Sequence, residues 1–233
     1  MFIDFHGHFL HGIDDGADDL NTGFCMLRDS FRQGCEYVVA TPHFNPGEAT
    51  VLDACHARDE AIAEITECAR IHGADIPEII PAFEVDFSSG LKNVLSADKL
   101  CISGTSYMLV EMPYGKWSQN DIERLYELTL AGIRPVVAHI DRYFRHFGDS
   151  VFSIFELDIC FQLNCKSMDT ISGRGFVKKL IKSGRTCVMG SDMHNMTSRP
   201  CNMKKAYNTA CKKLAPYAEE LFYTNAWNMI FSK

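Results

Sequence analysis

Nine residues of metal-ligating type fall where strands of a parallel sheet would end: His6, His8, Asp15, His43, Glu84, Glu111, His139, Asp192 and His194. His6-Gly7-His8 closes a strand-like run, and alternation along a strand puts His6 and His8 on one face. His43 ends the second such run, Glu84 lies near the end of the third, Glu111 ends the fourth and His139 the fifth. The seventh is followed at once by Asp192-Met193-His194, and Asp15 sits in the Asp14-Asp15-Gly16 turn after the first. Nitrogen and carboxylate donors of this mixture suit Mn, Fe, Zn or Co and suit thiolate-seeking ions poorly. Nine ligands would serve two or three ions with positions open for water or substrate, which is the equipment of metal-assisted hydrolysis. Alone, a His-x-His is a weak signal, and Asp-Asp-Gly is usually a turn. The weight comes from their coincidence at successive strand ends, since carboxylates are seldom buried without partners.

Two arginines add anion chemistry. Arg142 follows His139 by three residues, and Arg199 precedes Pro200, a residue that favours the first turn of a helix. A helix N-terminus and a guanidinium fork both suit phosphate, so Arg142 and Arg199 are expected to clamp one and stabilise its transition state. A cysteine nucleophile would need an arginine six positions on, and none of the ten cysteines has one; Cys160 with Lys166 comes nearest. No Gly-rich loop of the nucleotide-triphosphate type occurs.

These groups must be positioned by a scaffold. Seven strand-like runs are expected at Phe2–His8, Tyr37–His43, Ile79–Val85, Tyr107–Glu111, Pro135–His139, Ile159–Asn164 and Thr186–Ser191. Helical stretches alternate with them. One runs from about Thr22 to Gly34, and a longer one carries Cys55, Ile62, Ile65 and Ala69 to Gly73. A third starts at a Ser118/Asp121 capping box and carries Ile122, Leu125, Tyr126 and Thr129. A fourth carries Phe176, Val177, Leu180 and Ile181 to Gly184, and two more fill Pro200–Leu214 and Ala218–Phe231. Strand–helix alternation implies an α/β fold on a parallel sheet or barrel.

The chain has 233 residues, 46% of them hydrophobic, with no linker or repeat, so one domain over 1–233 is expected. The net charge of −7 and the absence of a basic run argue against a nucleic acid partner. No apolar run suggests a membrane span. Met1-Phe2-Ile3-Asp4-Phe5-His6 has no basic n-region, so a cytoplasmic chain with reduced cysteines is expected.

The stretches IDFHGHFLHGIDDGADD, ATPHF, VEMPY, VVAHIDRY and GSDMHNMTSRP resemble, in order, those of the polymerase-and-histidinol-phosphatase superfamily. Within it they are most similar to the bacterial CpsB/YwqE-type protein-tyrosine phosphatases. The resemblance implies a distorted seven-stranded (β/α)7 TIM-like barrel and a three-metal site, usually with manganese. It implies that His6, His8, Glu84 and Asp192 hold the first ion. Glu84, Glu111 and His139 would hold the second, with Glu84 bridging, and Asp15, His43 and His194 the third. It implies phosphate binding by Arg142 and Arg199. The implied substrate is phosphotyrosine on the tail of a bacterial tyrosine kinase that controls capsule or exopolysaccharide export, and an oligomer is compatible with the family. Phe44 stands where many relatives have a second His, and His139-Ile140-Asp141-Arg142 where relatives often read His-Pro-Glu-Arg.

The alternative that keeps the chemistry is a small-molecule phosphatase acting on histidinol phosphate or a sugar phosphate. A non-catalytic kinase-binding module would normally have lost some of the nine ligands. A 3′–5′ exonuclease would need a basic groove that the composition does not suggest.

Overall fold

The computed structural model describes residues 1–87 and 97–232. Its strands are β1 (Phe2–Gly7), β2 (Cys35–Ala40), β3 (His43–Phe44), β4 (Glu78–Pro81), β5 (Glu84–Asp86), β6 (Tyr107–Glu111), β7 (Arg134–Val137), β8 (Cys160–Asn164) and β9 (Cys187–Gly190). They form two parallel sheets, ordered β1-β2-β4 and β3-β5-β6-β7-β8-β9.

All seven expected strand positions are occupied, but the second and third are each split. The run expected at Tyr37–His43 breaks after Ala40 and resumes at His43. The run expected at Ile79–Val85 breaks after Pro81 and resumes at Glu84. Pro42 has no N–H to donate to a ladder. Across the break, Ala82 N donates to Ala40 O at 2.9 Å and Glu84 N to Pro42 O at 3.1 Å. The register restarts with His43 opposite Glu84. Glu84 therefore begins a strand rather than lying near the end of one.

The segment after β9 returns to β1. Asp192 N donates to His6 O at 2.9 Å, His8 N to Met193 O at 2.8 Å, and Ser191 N to the Asp4 carboxylate at 2.7 Å. The last motif in the chain is thereby fastened beside the first.

Helices α1 (Leu20–Gln33), α2 (Val51–Ile71), α3 (Gln119–Leu130), α4 (Ile140–Phe147), α5 (Ile171–Lys182), α6 (Met203–Lys213) and α7 (Asn225–Phe231) link and flank the strands. The Ser118/Asp121 capping box forms as expected. Gly34 ends α1 at φ 101°, a left-handed position that favours glycine. The face of α2 is rotated from expectation: Arg58, Ala61, Ile65 and Ala69 are buried, while Cys55 and Ile62 are half-buried. Arg58 belongs inside because its guanidinium packs over the Phe83 ring, 4.6 Å from the centroid. Of the stripe on α3, Leu125 is buried and Tyr126 is exposed.

Alternation along the strands divides the apolar residues between two clusters. One takes Ile3, Phe5, Val39, Leu109, Val136 and Val188 together with Ala226 and Met229 of α7. The other packs Val38, Val85, Val110, Val137 and Phe161 against helical residues such as Leu27, Ile65, Leu125 and Phe176. No helix among the described residues is long and apolar enough to cross a membrane.

Candidate metal centre

His6 and His8 point their Nε2 atoms at one place, 2.9 Å apart. Glu84 Oε2 lies 3.1 Å from the first and 3.2 Å from the second. Asp192 Oδ1 completes the group at 3.8 and 3.7 Å. Two ligands about 2.1 Å from a common ion sit about 3.0–3.5 Å from each other, so these spacings suit a metal. The other Glu84 oxygen, Oε1, lies 2.8 Å from His139 Nε2, and Glu111 Oε1 is 3.4 Å from the same nitrogen. His43 Nε2 and His194 Nε2 each lie 3.4 Å from Asp15 Oδ1. All nine expected residues come together in three adjoining groups. His43 Nδ1 also reaches Glu84 and Glu111, at 3.4 and 3.8 Å.

Backbone conformation aims two of these side chains. His139 (φ 33°) and Asp192 (φ 55°) are the non-glycine residues with positive φ among the described residues. Such conformations cost of order 1–3 kcal/mol each and concentrate at functional sites. The turn at His139 ends β7 at Val137, two residues before the expected strand end, and starts α4 directly. That helix was not foreseen, although Ile140, Tyr143, Phe144 and Phe147 recur at helical spacing.

The donors fit metal ions electrostatically. Burial opposes charge on His8, but hydrogen bonds to Asp14 and Glu84 override it and hold the ring up at about 10. His139 is likewise raised to about 10 against its burial, by Glu111 and Glu84. Burial would raise Glu84 and Asp192 too, yet the clustered imidazoles hold both carboxylates well below their usual range. Cations are thus needed among these carboxylates, and protons supply them where metal does not. Nδ1 of His139, the ring nitrogen that does not face Glu84, is buried with no hydrogen-bond partner, the kind of orphan that an ordered water satisfies.

A supporting layer was largely missed from sequence. Asp14, rather than its neighbour Asp15, accepts from His8 Nδ1 at 2.7 Å; it also accepts from Gly16 N and His43 N. Gln162 Oε1 lies 3.1 Å from His6 Nδ1 and accepts from His139 N at 2.6 Å. Gln162 Nε2 donates to Asn164 Oδ1, and Asn164 Nδ2 donates to Asp192 Oδ2 at 2.8 Å. The available signal was two polar residues, spaced by two, in the one expected strand without a ligand at its end.

Arg142 and Arg199 line a cavity of about 240 Å³ beside the cluster. Arg142 lies in the first turn of α4, with Nη1 3.9 Å from Glu111 Oε1. Arg199 donates Nη2 to Asp192 Oδ1 at 2.7 Å. Its expected place at a helix N-terminus is not observed, since α6 begins only at Met203. Instead Asn195 Oδ1 accepts from the backbone of Thr197, Ser198 and Arg199, closing a turn that presents Arg199.

Burial works against a thiolate at several of the cysteines. It pushes the Cys160 thiol up to about 11, Cys187 beyond that, and Cys165 well above the ordinary thiol range. Cys160 opens β8 whereas Lys166 follows its far end. All ten cysteines are unpaired. Of the aromatics near the motifs, Phe44 and Tyr143 are core residues, while Tyr114 is 62% exposed beside Arg142.

Parallel strands carrying a mixed imidazole and carboxylate cluster define an α/β protein with a potential metal-binding centre. The profile of the capsular polysaccharide synthesis CpsB/CapC family matches residues 2–231, and the chain belongs to that family. It is 29% identical over 211 residues to the tyrosine-protein phosphatase YwqE of Bacillus subtilis, covering 88% of this chain and 82% of that one. It is 26% identical over 248 residues to the tyrosine-protein phosphatase CpsB of Streptococcus pneumoniae, covering 99% of each. A crystal structure from a study of YwqE and CpsB, described there as unique metal-dependent tyrosine phosphatases, superposes with a TM-score of 0.84. The identity is 24%, and 98% of this chain and 94% of that one are covered.

Proposed function

We propose that this chain is a metal-dependent protein-tyrosine phosphatase. Its substrate would be phosphotyrosine on the tail of a bacterial tyrosine kinase controlling capsule or exopolysaccharide synthesis, in the cytoplasm. The observation that carries the reading is the position of Arg142 and Arg199, which line one cavity together with Asp192 of the imidazole–carboxylate cluster. The names borne by the CpsB and YwqE relatives favour phosphotyrosine over a small-molecule phosphate. A single domain folded as a distorted (β/α)7 barrel accords with two parallel sheets and with the bonds joining β1 to the segment after β9.

His6, His8, Glu84 and Asp192 would hold one ion; Glu84, Glu111 and His139 a second; Asp15, His43 and His194 a third. Manganese is expected, and iron, zinc or cobalt suit the same donors. Such ions, when bound, neutralise phosphate charge and acidify water. The protein's own groups do the rest. Arg142 and Arg199 take non-bridging phosphate oxygens in forked, charge-assisted contacts. Asp192 holds Arg199 in place, and Asp14 and Gln162 fix the rings of His8 and His6. A tyrosyl leaving group has a pKa of ~10 and departs with less protonation than an alkoxide.

The test is phosphate release from a phosphotyrosyl peptide with and without Mn²⁺, using the wild type, His139→Ala and Cys160→Ser. Metal-dependent turnover that survives Cys160→Ser and is lost in His139→Ala is the expected result. Hydrolysis of histidinol phosphate with no turnover of the peptide would overturn the substrate assignment and keep the centre.

A further inference from the structure

The cavity beside the cluster carries two fixed cations, Arg145 and Lys166, beyond the arginines of the phosphate clamp. Its lining includes Arg142, Arg145 and His146 of α4, Lys166 from the turn after β8, and Arg199. The two clamp arginines already face carboxylates of the cluster, Arg199 on Asp192 at 2.7 Å and Arg142 3.9 Å from Glu111. Two carboxylates share the lining, Asp141 and Asp192, and both are buried. Asp141 Oδ1 accepts from Asn164 N at 2.8 Å, and Asp192 accepts from Asn164 and Arg199. Asp192 is committed to Arg199, and Asp141, raised to about 6 by burial, still feels the opposing charge of Arg145. Arg145 is exposed and forms no ion pair within 4.0 Å among the described residues. Lys166 is exposed and donates to the Ser198 carbonyl at 3.4 Å. For a chain of net charge −7, this is an unusual place to concentrate cations.

The spacing is orderly. Arg142, Arg145 and His146 recur at i, i+3 and i+4, so they share one face of α4. Lys166 belongs to the other wall, tied through Ser198 to the loop that presents Arg199. Tyr114 stands beside the α4 face, its ring centroid 5.7 Å from the Arg142 guanidinium and 5.4 Å from the His146 ring.

We propose that Arg145 and Lys166 form an anion subsite next to the phosphate clamp, which takes a second negatively charged side chain of a peptide substrate. This rests on the phosphotyrosine reading above and names which phosphotyrosines are preferred. The second anion is an Asp or Glu carboxylate or another phosphotyrosine; each offers paired oxygens to a guanidinium fork and an ammonium. Arg142 and Arg145 are three residues apart on α4, a rise of about 4.5 Å, and an extended peptide advances about 3.3 Å per residue. The second anion therefore falls within about three residues of the phosphotyrosine being cleaved.

The experiment compares kcat/KM of the metal-loaded enzyme on three phosphotyrosyl peptides: neutral neighbours, glutamate neighbours, and a second phosphotyrosine. Wild type, Arg145→Ala/Lys166→Ala and Arg145→Glu are assayed. Binding of the matching non-hydrolysable phosphonate peptides is measured alongside. Wild type is expected to prefer the anion-bearing peptides by about tenfold, mainly in KM and in Kd, and less so at high salt. The double alanine variant should bring that preference to about twofold or below, and Arg145→Glu should reverse it in favour of the peptide with neutral neighbours. Whichever anion-bearing peptide is favoured identifies the source of the second charge. Equal turnover of all three by wild type, or a preference that survives the double variant, overturns the subsite and leaves the proposed function standing. No turnover of any phosphotyrosyl peptide overturns both.

Discussion

Asp14 Oδ2 lies 2.7 Å from Nδ1 of His8, while the Nε2 of the same ring faces His6 and Glu84. A carboxylate on the outer nitrogen fixes the tautomer, so that the inner nitrogen presents a lone pair. Asp14→Asn keeps the shape and removes the charge. It should lower metal affinity by about 10–100-fold, measured by titrating Mn²⁺ into the chelator-treated protein. Unchanged affinity would mean that Asp14 only braces its turn.

Gly190 packs against His6 and Gln162. A Cβ there would meet His6 Cβ at 2.6 Å and Gln162 Nε2 at 2.8 Å. His6 Cβ is fixed to its backbone, and Gln162 Nε2, though the end of its side chain, is held by Asn164 Oδ1, so His6 and its strand must shift. Gly190→Ala is expected to cost about 1–3 kcal/mol, as overpacking does, and to weaken metal binding with it. Denaturant unfolding of the metal-free form checks the first effect.

Without metal, stability should fall on the alkaline side. His8 and His139 are raised from 6.5 to about 10 in the folded chain. Groups raised in this way stabilise fully below their unfolded value, and that contribution is lost as pH climbs through the folded one. Asp14, which burial would raise but the His8 pairing lowers to about 2, works at the other end: its contribution is present above 3.8 and is lost as pH falls toward 2. The melting temperature of the chelator-treated protein should therefore drop between about pH 6.5 and 10. Metal must displace these protons, so calorimetric titrations in buffers of different ionisation heat should show proton release. A melting temperature that rises over the alkaline range would contradict the charge pattern.

Arg142 can be tested by the change usually called conservative. Its side chain is 46% exposed, so Arg142→Lys should alter stability by no more than about 0.5 kcal/mol. An ammonium cannot make the forked contact, and kcat/KM on aryl phosphates should fall by about tenfold or more. Equal loss from Arg142→Lys and Arg142→Ala would assign the effect to geometry; full retention by lysine would assign it to charge alone.

Much of the centre was legible because its residue types are costly anywhere else. His6 and His8 were placed on one side by alternation, and Asp192 and His194 by their position just past a strand. Glu84 was found by type but misplaced, because the interruption at Pro42 and Ala82 restarts the register. Asp14 and Asp15 are adjacent and chemically identical, and nothing local assigns one to His8 and the other to His43 and His194. Arg199 was read as part of a helix start from Pro200, but the Asn195 turn takes those backbone groups first.

The sequence by itself determined the inventory: the donor types, two arginines, an alternating α/β pattern and no cysteine followed six positions on by arginine. Those follow from composition, local periodicity and spacing, which are properties of neighbouring residues. Only the tertiary structure decided that the two oxygens of Glu84 face different imidazoles, that Gln162 and Asn164 back the ligands, and that Arg145 and Lys166 share a cavity with the clamp. Those relationships join residues far apart in the chain. They depend on strand register and on where each element stops, which long-range hydrogen bonding and packing set together.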